Sequence, residues 1–385
     1  MRVKIRSMPL NNMKRIGITG KSGFIGTHLS NTLSLKKDRY QIIDFEDNYF
    51  DDLTKLKEFV KSCDTIVHLA ALNRHNDAEV IYNTNILLVQ KLINCLEMTE
   101  SRPHIIFSSS TQEEKDNSYG NSKKRGRELF ENWAKKNGGK FTGIIIPNVF
   151  GPFGNPFYNS FIATFSHQLT RNLDPKVEVD SEVGLIFIDE LVRDVISILE
   201  NPKAGTNKIK LSETSRYKVS EILSLLNSFR DKYLLHGIIP QIDNKFKENL
   251  FNTFRTYIDL KSFFPFHYKL NTDERGTFVE ILKLYSGGQI SYSTTKPGIT
   301  RGNHFHTRKI ERFAVIKGEA IIKMRKINTE EVLEFYLSGS EPSFVDMPIW
   351  YTHNISNVGN SELITLFWIN EFYNSDDPDT FYEEV

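Results

Sequence analysis

The feature that most constrains the fold is a short apolar run that ends in glycine and leads directly into a helical pattern. The run KRIGITG begins at residue 14, and KSGFIGTHLSNTLSL follows it with apolar residues at helical spacing. Further apolar runs, separated by helix-length stretches, lie at residues 40–45, 65–71, 104–110 and 141–151. Alternating strands and helices predict an α/β Rossmann-type parallel sheet, doubly wound with helices on both faces.

The pattern changes in the last third of the chain. From Thr277 onward, short alternating strands such as TFVEILKL, GQISYSTT and ELITLFWIN are separated by turn residues, which predicts an antiparallel sandwich or barrel. A chain of 385 residues is also too long for one ordinary core. We therefore predict two domains, 1–265 and 266–385.

Composition limits the classes of function. The 49 basic and 48 acidic residues leave a net charge of +1, so no overall field holds a polyanion, and we expect no nucleic-acid partner. The two cysteines, Cys63 and Cys95, provide no disulfide framework. Neither a signal peptide nor a membrane span is evident. A soluble, cytoplasmic protein without a membrane partner is the expectation.

Gly20, Gly23 and Gly26 form a G-x-x-G-x-x-G turn between the first strand and the first helix. Without side chains there, a pyrophosphate can approach backbone N–H groups at the helix N-terminus. A tight turn that binds nothing is the alternative. The segment GKS does not indicate a Walker A motif, because Arg15 stands where that motif requires glycine.

Tyr119 and Lys123 form a Tyr-x-x-x-Lys pair after a serine-rich strand end. Residues four apart share a helix face, so the Lys123 charge can lie beside the Tyr119 phenol. A neighbouring cation favours phenolate and moves the pKa of tyrosine towards values useful for proton exchange with a carbonyl oxygen. A serine hydroxyl from the strand end can hold that oxygen.

These motifs, with His68-Leu69-Ala70-Ala71 and Asn85, resemble the extended short-chain dehydrogenase/reductase family over about residues 14–200. The resemblance implies catalysis by Ser110, Tyr119 and Lys123, with Thr111 as the alternative to Ser110, and a substrate contact at Asn148. It also implies a nicotinamide cofactor bound along Gly20, Gly23, Phe24, Ile25, Gly26, Asp44, Leu69, Ala70 and Lys123.

The residues after Thr111 bear on the type of reaction, and Asp44 bears on the choice of nicotinamide cofactor. Gln112 and Glu113 follow Thr111 where related dehydratases carry Asp-Glu, which favours reduction over dehydration. An acid at Asp44 would bond a ribose hydroxyl and repel a 2′-phosphate, while relatives often use NADPH. Both NAD and NADP, in the reduced form, stay open.

The second domain contains a histidine cluster. His304, His306 and Glu311 have the spacing H-x-H-x4-E, for which about 0.03 chance matches are expected, and His353 lies further on. Alternate strand residues face the same way, so these side chains can converge. Three imidazoles and a carboxylate suit Zn²⁺, with iron, nickel and manganese also open. Solvated or core-packed histidines are the alternative.

This domain resembles a cupin (jelly-roll), in particular the deoxysugar-nucleotide 3,5-epimerase branch, through Asp273-Glu274-Arg275-Gly276, Gln289 and Arg301-Gly302-x-His304. Arg275 and Arg301 are natural partners for a substrate pyrophosphate. Those epimerases usually carry glutamine where His306 stands and work without metal. The metal-free mechanism of those epimerases is therefore not carried over to this chain.

A reductase fused to such a cupin resembles the bifunctional capsular-polysaccharide synthases acting on UDP-2-acetamido-2,6-dideoxy-4-hexuloses. The resemblance implies epimerisation at carbon 3, reduction of the 4-ketone to an L-talo or L-rhamno product, and a homodimer. Candidate bases for the epimerisation are Lys296, Tyr351 and His306. A reductase with a purely structural metal, and a non-catalytic sensor of sugar nucleotide and NAD(P), are the alternatives.

Overall fold

A computed structural model describes residues 13–274, 276–278, 281–282 and 284–385. The chain divides into two compact units. The first runs to Phe161 and includes Ser181–Lys218, and the second comprises Ile162–Asp180 and Val219–Val385. None of the described helices is long and apolar enough to cross a membrane.

The first unit contains a six-stranded parallel sheet in the order β2-β1-β3-β4-β5-β8 and a small sheet β6-β7-β9. Its strands are β1 (Lys14–Thr19), β2 (Tyr40–Ile43), β3 (Thr65–His68), β4 (His104–Ser110), β5 (Phe141–Ile146), β6 (Asn148–Phe150), β7 (Glu182–Phe187), β8 (Thr206–Lys210) and β9 (Ser215–Lys218). The order of the large sheet reverses at β1. Ligands of open α/β sheets bind outside the carboxyl ends of the strands at such a point.

The second unit contains two five-stranded antiparallel sheets, β10-β18-β15-β20-β13 and β17-β16-β19-β14-β21, and the hairpin β11-β12. Its strands are β10 (Phe266–His267), β11 (Asn271–Asp273), β12 (Gly276–Phe278), β13 (Gln289–Thr295), β14 (Thr300–Phe305), β15 (Glu311–Lys317), β16 (Glu319–Lys326), β17 (Val332–Ser338), β18 (Ser343–Met347), β19 (Tyr351–Asn357), β20 (Leu363–Ile369) and β21 (Phe381–Tyr382). The predicted fold class, a Rossmann-type sheet followed by all-β structure, is confirmed.

The helices lie between strands along the chain, and several have an N-terminus that a side chain caps. They are α1 (Phe24–Ser34), α2 (Leu53–Ser62), α3 (Ala78–Met98), α4 (Ser118–Asn137), α5 (Phe161–Leu169), α6 (Ile188–Glu200), α7 (Val219–Phe229), α8 (Lys245–Arg255) and α9 (Leu260–Phe263). Asn117 caps α4 by accepting from the Gly120 N–H, and Gly138 ends that helix in the left-handed conformation at φ 64°.

The core of the first unit lies between the parallel sheet and helices α2, α3 and α4. It includes the fully buried side chains of Val60, Ile66, Leu92, Ile105 and Phe130. Both cysteines are buried and free. This packing holds the carboxyl ends of β1, β3 and β4 in fixed relative positions.

The core of the second unit contains a buried ion pair between Arg312 on β15 and Asp346 on β18, with Nε–Oδ1 and Nη2–Oδ2 distances of 2.8 and 3.0 Å. Tyr233, in a short π-helical turn after α7, donates its hydroxyl to Asp346. Arg312 also donates to the Gly237 carbonyl at 2.7 Å. Residues just after α7 thus form part of the core that contains the β-strands, while the predicted division at 265/266 stays a prediction.

Candidate functional site

The first candidate site lies at the carboxyl edge of the six-stranded sheet. Gly20 follows β1, Asp44 follows β2, and Leu69 follows β3. Ser110 is the last residue of β4. Because the strands are parallel, their carboxyl ends meet at one edge, and the predicted cofactor residues are placed along it.

The glycine turn is shaped by close backbone contacts. Gly20 has φ +69°, and a Cβ built on it would lie 2.8 Å from the Ala70 nitrogen. A Cβ on Gly26 would lie 2.2 Å from the Gly20 carbonyl oxygen. The Gly23 N–H donates to that same oxygen at 3.1 Å. The turn therefore needs glycine for both conformation and space, and it leaves the backbone open to a ligand such as a pyrophosphate.

Helix α1 begins directly after this turn. Gly23 is its N-cap residue, and no side chain caps it. Phe24 and Ile25 are its first two residues, so their N–H groups belong to the first turn, where the helix carries its partial positive charge. The glycine turn and the start of α1 together fit the diphosphate of a dinucleotide.

A buried Thr19–His68 pair supports the turn, and the sequence motifs alone did not identify it. Thr19 Oγ1 lies 2.8 Å from His68 Nδ1 and accepts from the Ala70 N–H at 3.3 Å. Burial and the charge of Lys123 lower the pKa of His68 to about 3, so its ring is neutral. The pair connects the ends of β1 and β3. The signal in the sequence was a polar residue at each strand end.

Tyr119 and Lys123 lie in the first two turns of α4, where Tyr119 is half-buried and Lys123 is buried. Lys123 Nζ donates to Ser108 Oγ at 3.4 Å and lies 5.8 Å from the centre of the Tyr119 ring. Burial lowers the pKa of Lys123 to about 8. Burial, with a smaller effect of Tyr158, raises the pKa of Tyr119 to about 12. Desolvation therefore moves the pKa of Tyr119 in the direction opposite to the shift towards phenolate that a neighbouring cation would favour.

Each serine at the end of β4 has a different partner. Ser108 accepts from Lys123 and donates to the His68 carbonyl at 3.2 Å. Ser109 donates to Glu113. Ser110, half-buried, accepts from the Gln112 N–H at 3.2 Å and so caps the 3₁₀ turn that follows. Ser108 was not among the predicted catalytic residues, although it shares a strand face with Ser110.

Glu113 belongs to a buried ion pair. Its carboxylate accepts from Arg127 Nε at 2.9 Å, and the side chains of Glu113 and Arg127 are 5% and 9% exposed. Burial acts to raise the pKa of Glu113, but hydrogen bonds from Arg127 and Ser109 outweigh it and lower the pKa. Glu113 is therefore held as a carboxylate by structural partners.

The candidate substrate residues differ in what the structure shows. Asn148 is exposed at the start of β6 and donates to the Gly184 carbonyl at 3.3 Å. Arg301 on β14 donates to Thr295 Oγ1 and to the Thr294 carbonyl, each at 3.1 Å. Arg275 lies outside the described residues.

The second candidate site is a cluster of metal-ligating side chains between the two antiparallel sheets. One ligand atom from each of four residues lies within 4.8 Å of all the others, and these residues are His304, His306, Glu311 and His353. Glu311 Oε2 is 3.0 Å from His306 Nε2 and 3.2 Å from His353 Nε2. Within the described part of the chain, these three buried atoms have no partner in hydrogen-bond geometry. Buried atoms of this kind, aimed at one another, fit a divalent metal ion.

Carbonyl oxygens hold two of the imidazoles from behind. His306 Nδ1 is hydrogen-bonded to the Asp379 carbonyl, and His353 Nδ1 to the Tyr351 carbonyl at 3.1 Å. A carbonyl oxygen only accepts, so each Nδ1 carries a proton, and each Nε2 is the atom that would bind a metal ion. Burial and the neighbouring histidines lower the pKa of His304 to about 4, which keeps it neutral as a ligand.

Comparison with known families assigns the first unit. The NAD dependent epimerase/dehydratase family matches residues 16–211, which is more than half of the chain and includes the glycine turn, Tyr119 and Lys123. The chain belongs to this family. The polysaccharide biosynthesis C-terminal domain matches residues 271–381, which include all four residues of the histidine cluster. Residues 212–270 lie between the two matches.

This family member is similar to two proteins over nearly its whole length. A Pseudomonas aeruginosa protein named UDP-2-acetamido-2,6-beta-L-arabino-hexul-4-ose reductase is 30% identical and covers 95% of this chain and 98% of its own. The capsular polysaccharide assembling protein CapF from Staphylococcus aureus, known from a crystal structure, is 33% identical in sequence. The match has a TM-score of 0.60 and covers 96% of this chain and 100% of that chain. The resemblance of the whole chain to the capsular-polysaccharide enzymes, stated above from the motifs, is confirmed.

A third comparison concerns the fold alone. The structure of RMD from Pseudomonas aeruginosa complexed with NADPH is 19% identical and covers 57% of this chain and 84% of its own, with a TM-score of 0.52. At that identity the similarity supports the Rossmann-type fold.

Proposed function

We propose that the protein is a bifunctional nucleotide-sugar enzyme acting on a UDP-2-acetamido-2,6-dideoxy-4-hexulose. Its second unit would invert carbon 3, and its first unit would reduce the ketone at carbon 4 with NADH or NADPH. The product would be a UDP-N-acetyl-6-deoxy-L-hexosamine of L-talo or L-rhamno configuration. The observation that carries the proposal is the Tyr119–Lys123 pair, in which the buried Lys123 lies against Tyr119 and donates to Ser108 on β4, and the full-length similarity to a UDP-hexulose reductase supports the substrate class.

For the reduction, the first unit would bind NAD(P)H along the glycine turn, the end of β3 and Lys123. When bound, the cofactor supplies the hydride that is added to the carbonyl carbon. Ser110 would hold the carbonyl oxygen, and Tyr119 would donate the proton that this oxygen takes up. The pKa of about 12 keeps Tyr119 protonated at neutral pH, which is the state that a proton donor requires.

The environment of Glu113 supports reduction over dehydration. A dehydratase needs a second acid and base beside the substrate carbon that loses its proton. Glu113 is instead engaged with Arg127 and Ser109, and Lys208 Nζ lies 3.5 Å from its carboxylate. Because these partners engage the carboxylate, Glu113 is not available as the second acid and base of a dehydratase. Tyr119 then remains as the one proton donor, and a simple carbonyl reduction needs only one.

For the epimerisation, the histidine cluster would hold a divalent metal, with zinc as the first candidate. When bound, such a metal supplies Lewis-acid polarisation of the ketone, which makes the proton on carbon 3 more acidic. His306 Nδ1 is held by the Asp379 carbonyl and His306 Nε2 would bind the metal, which leaves Lys296 and Tyr351 as candidate bases. Epimerisation would precede reduction, because the carbon 3 proton is acidic only while the ketone exists.

The test uses the 4-ketosugar nucleotide and the purified full-length protein in deuterated buffer. Without cofactor, we expect deuterium at carbon 3 above the level in an enzyme-free control, measured by NMR. With NADH or NADPH, we expect oxidation of the cofactor and a 6-deoxyhexosamine product. Tyr119→Phe should reduce cofactor oxidation by about 10²- to 10⁴-fold and leave deuterium incorporation intact.

The two halves of the proposal can fail separately. Absence of enzyme-dependent deuterium would overturn the epimerase and leave a reductase whose metal is structural. Absence of cofactor oxidation with either nicotinamide would overturn the reductase. Loss of both activities in Tyr119→Phe would show that the two reactions do not use separate sites.

A further inference from the structure

The segment Asp377–Glu384, here called the C-terminal clamp, runs alongside the histidine cluster. Its strand β21 pairs with β14, so that Tyr382 lies opposite His304 and Phe381 opposite Phe305. Beyond the strand, the Glu383 N–H donates to the Asn303 carbonyl at 3.0 Å. The clamp thus contacts the strand that carries the first histidine.

Asp379 is the centre of the clamp, with a residue exposure of 3%. Its carboxylate accepts from the backbone N–H groups of Thr307, Arg308 and Lys309 at 3.1, 3.0 and 3.1 Å. The Thr307 hydroxyl also donates to it, at 2.6 Å. Bonds to a charged acceptor are stronger than neutral ones. The loop that leaves His306 is therefore wrapped around one buried carboxylate.

The backbone of Asp379 contacts the histidine itself. Its carbonyl oxygen accepts from His306 Nδ1, while His306 Nε2 lies 3.0 Å from Glu311 Oε2. Asp379 has φ 40°, in the left-handed region that non-glycine residues rarely adopt. A conformation of this kind persists where the surroundings determine it, here through the bonds to residues 307–309.

We propose that Asp379 is a positioning residue for the metal site: its carboxylate holds the loop 307–309, and its carbonyl sets the tautomer and orientation of His306. This inference rests on the proposed metal binding. Asp379 would not itself bind the metal. Its effect would be that of an outer-shell partner, whose loss weakens metal binding by about 10- to 100-fold.

A neighbouring carboxylate provides a matched control. Asp377 belongs to the same segment, and its carboxylate contacts the Arg308 guanidinium at 3.0 and 3.2 Å. Its side chain is 68% exposed. Asp377→Asn removes one charge from the clamp, as Asp379→Asn does, but it leaves the backbone N–H groups of residues 307–309 with their acceptor.

The experiment measures Zn²⁺ affinity of the full-length protein by competition with a chelator. We expect Asp379→Asn to bind Zn²⁺ about 10- to 100-fold more weakly than wild type and Asp377→Asn to bind it equally well. With Co²⁺ in place of Zn²⁺, the visible absorption bands of Asp379→Asn should shift, since they report ligand geometry, which a general loss of stability would not change.

A milder variant covers the case in which Asp379→Asn fails to fold. Thr307→Val removes one donor to Asp379 and should weaken Zn²⁺ binding about fivefold, the equivalent of one hydrogen bond. Equal affinity and equal spectra in wild type and Thr307→Val, and in Asp379→Asn if it folds, would overturn the inference and leave the metal site standing. Absence of Zn²⁺ binding by wild type would instead overturn the proposed metal site, and the inference with it.

Discussion

Lys123 shows how burial sets the chemistry of a single residue. The sequence predicts a cation next to Tyr119, and the structure places that cation in a buried position where its pKa falls to about 8. Its ammonium is held by Ser108 and lies 5.1 Å from the centre of the Phe107 ring. The charge therefore depends on pH close to the neutral range, unlike that of a solvated lysine.

A pH dependence of cofactor binding follows from this value. The ammonium is present below the pKa and lost above it, so affinity for reduced cofactor should fall as pH rises through about 8. Cofactor fluorescence titrations from about pH 6 to about pH 9 would measure the dissociation constant. Lys123→Arg, which stays charged over that range, should bind more weakly but without the pH dependence. Wild-type affinity that stays constant through pH 8 would contradict this role of Lys123.

Two alanine variants distinguish Ser110 from Thr111 as the residue that holds the substrate carbonyl oxygen. Ser110→Ala should lower kcat for cofactor oxidation by about 10²- to 10³-fold, the cost of losing one donor to a developing oxyanion. Thr111→Ala should lower it by less than about threefold. Steady-state kinetics with the 4-ketosugar measure both, and the reverse ranking would transfer the role to Thr111. Thermal unfolding of both variants controls for the loss of the cap that Ser110 provides to the 3₁₀ turn.

At the scale of elements, the glycine turn joins β1 to α1 with no spare volume. Gly26→Ala places a Cβ 2.2 Å from the Gly20 carbonyl oxygen and 2.8 Å from the Lys21 Cα, so the turn must open. We expect cofactor affinity to fall by about tenfold or more, which is ~1.4 kcal/mol. Isothermal titration with NADH and NADPH measures the change.

A glycine outside the turn serves as the control for this substitution. Among the residues that the structure describes, none beyond the chain neighbours comes within 4 Å of a Cβ placed on Gly287, and Gly287→Ala should leave cofactor affinity unchanged. Equal affinity in Gly26→Ala and wild type would mean that the turn does not contact the cofactor.

At the scale of the whole molecule, buried polar groups as well as strands join residues that are far apart in the sequence into one core. Asp346 is fully buried and satisfies Arg312 and Tyr233 together. Tyr233 precedes the first strand of the second unit by more than thirty residues in the sequence. Its hydroxyl nevertheless belongs to the core of that unit.

Removing that hydroxyl should destabilise the protein. We expect Tyr233→Phe to lower the free energy of unfolding by about 2 kcal/mol, since a hydrogen bond to a charged group is lost in a buried site. Urea-induced unfolding measures it. Tyr292→Phe, at a side chain that is 71% exposed, is the control and should change stability by less than about 0.5 kcal/mol. A Tyr233→Phe variant as stable as this control would show that the hydroxyl contributes nothing.

The sequence by itself determined the two folds, the glycine turn and the identity of the clustered histidines, because each depends on local spacing. Strand-turn-helix order, the i, i+4 pair Tyr119–Lys123 and the alternation of His304 and His306 are all visible within short windows of the chain.

Only the tertiary structure decided the protonation states of the buried side chains and their hydrogen-bond partners. The pKa values of Tyr119 and Lys123 are set by burial, which depends on distant packing, and the expected phenolate shift did not appear for that reason. The contact of Asp379 with His306 joins residues 73 positions apart, and that of Tyr233 with Asp346 joins residues 113 positions apart. No local pattern indicates such pairs, because desolvation and long-range hydrogen bonds arise only when the chain has folded.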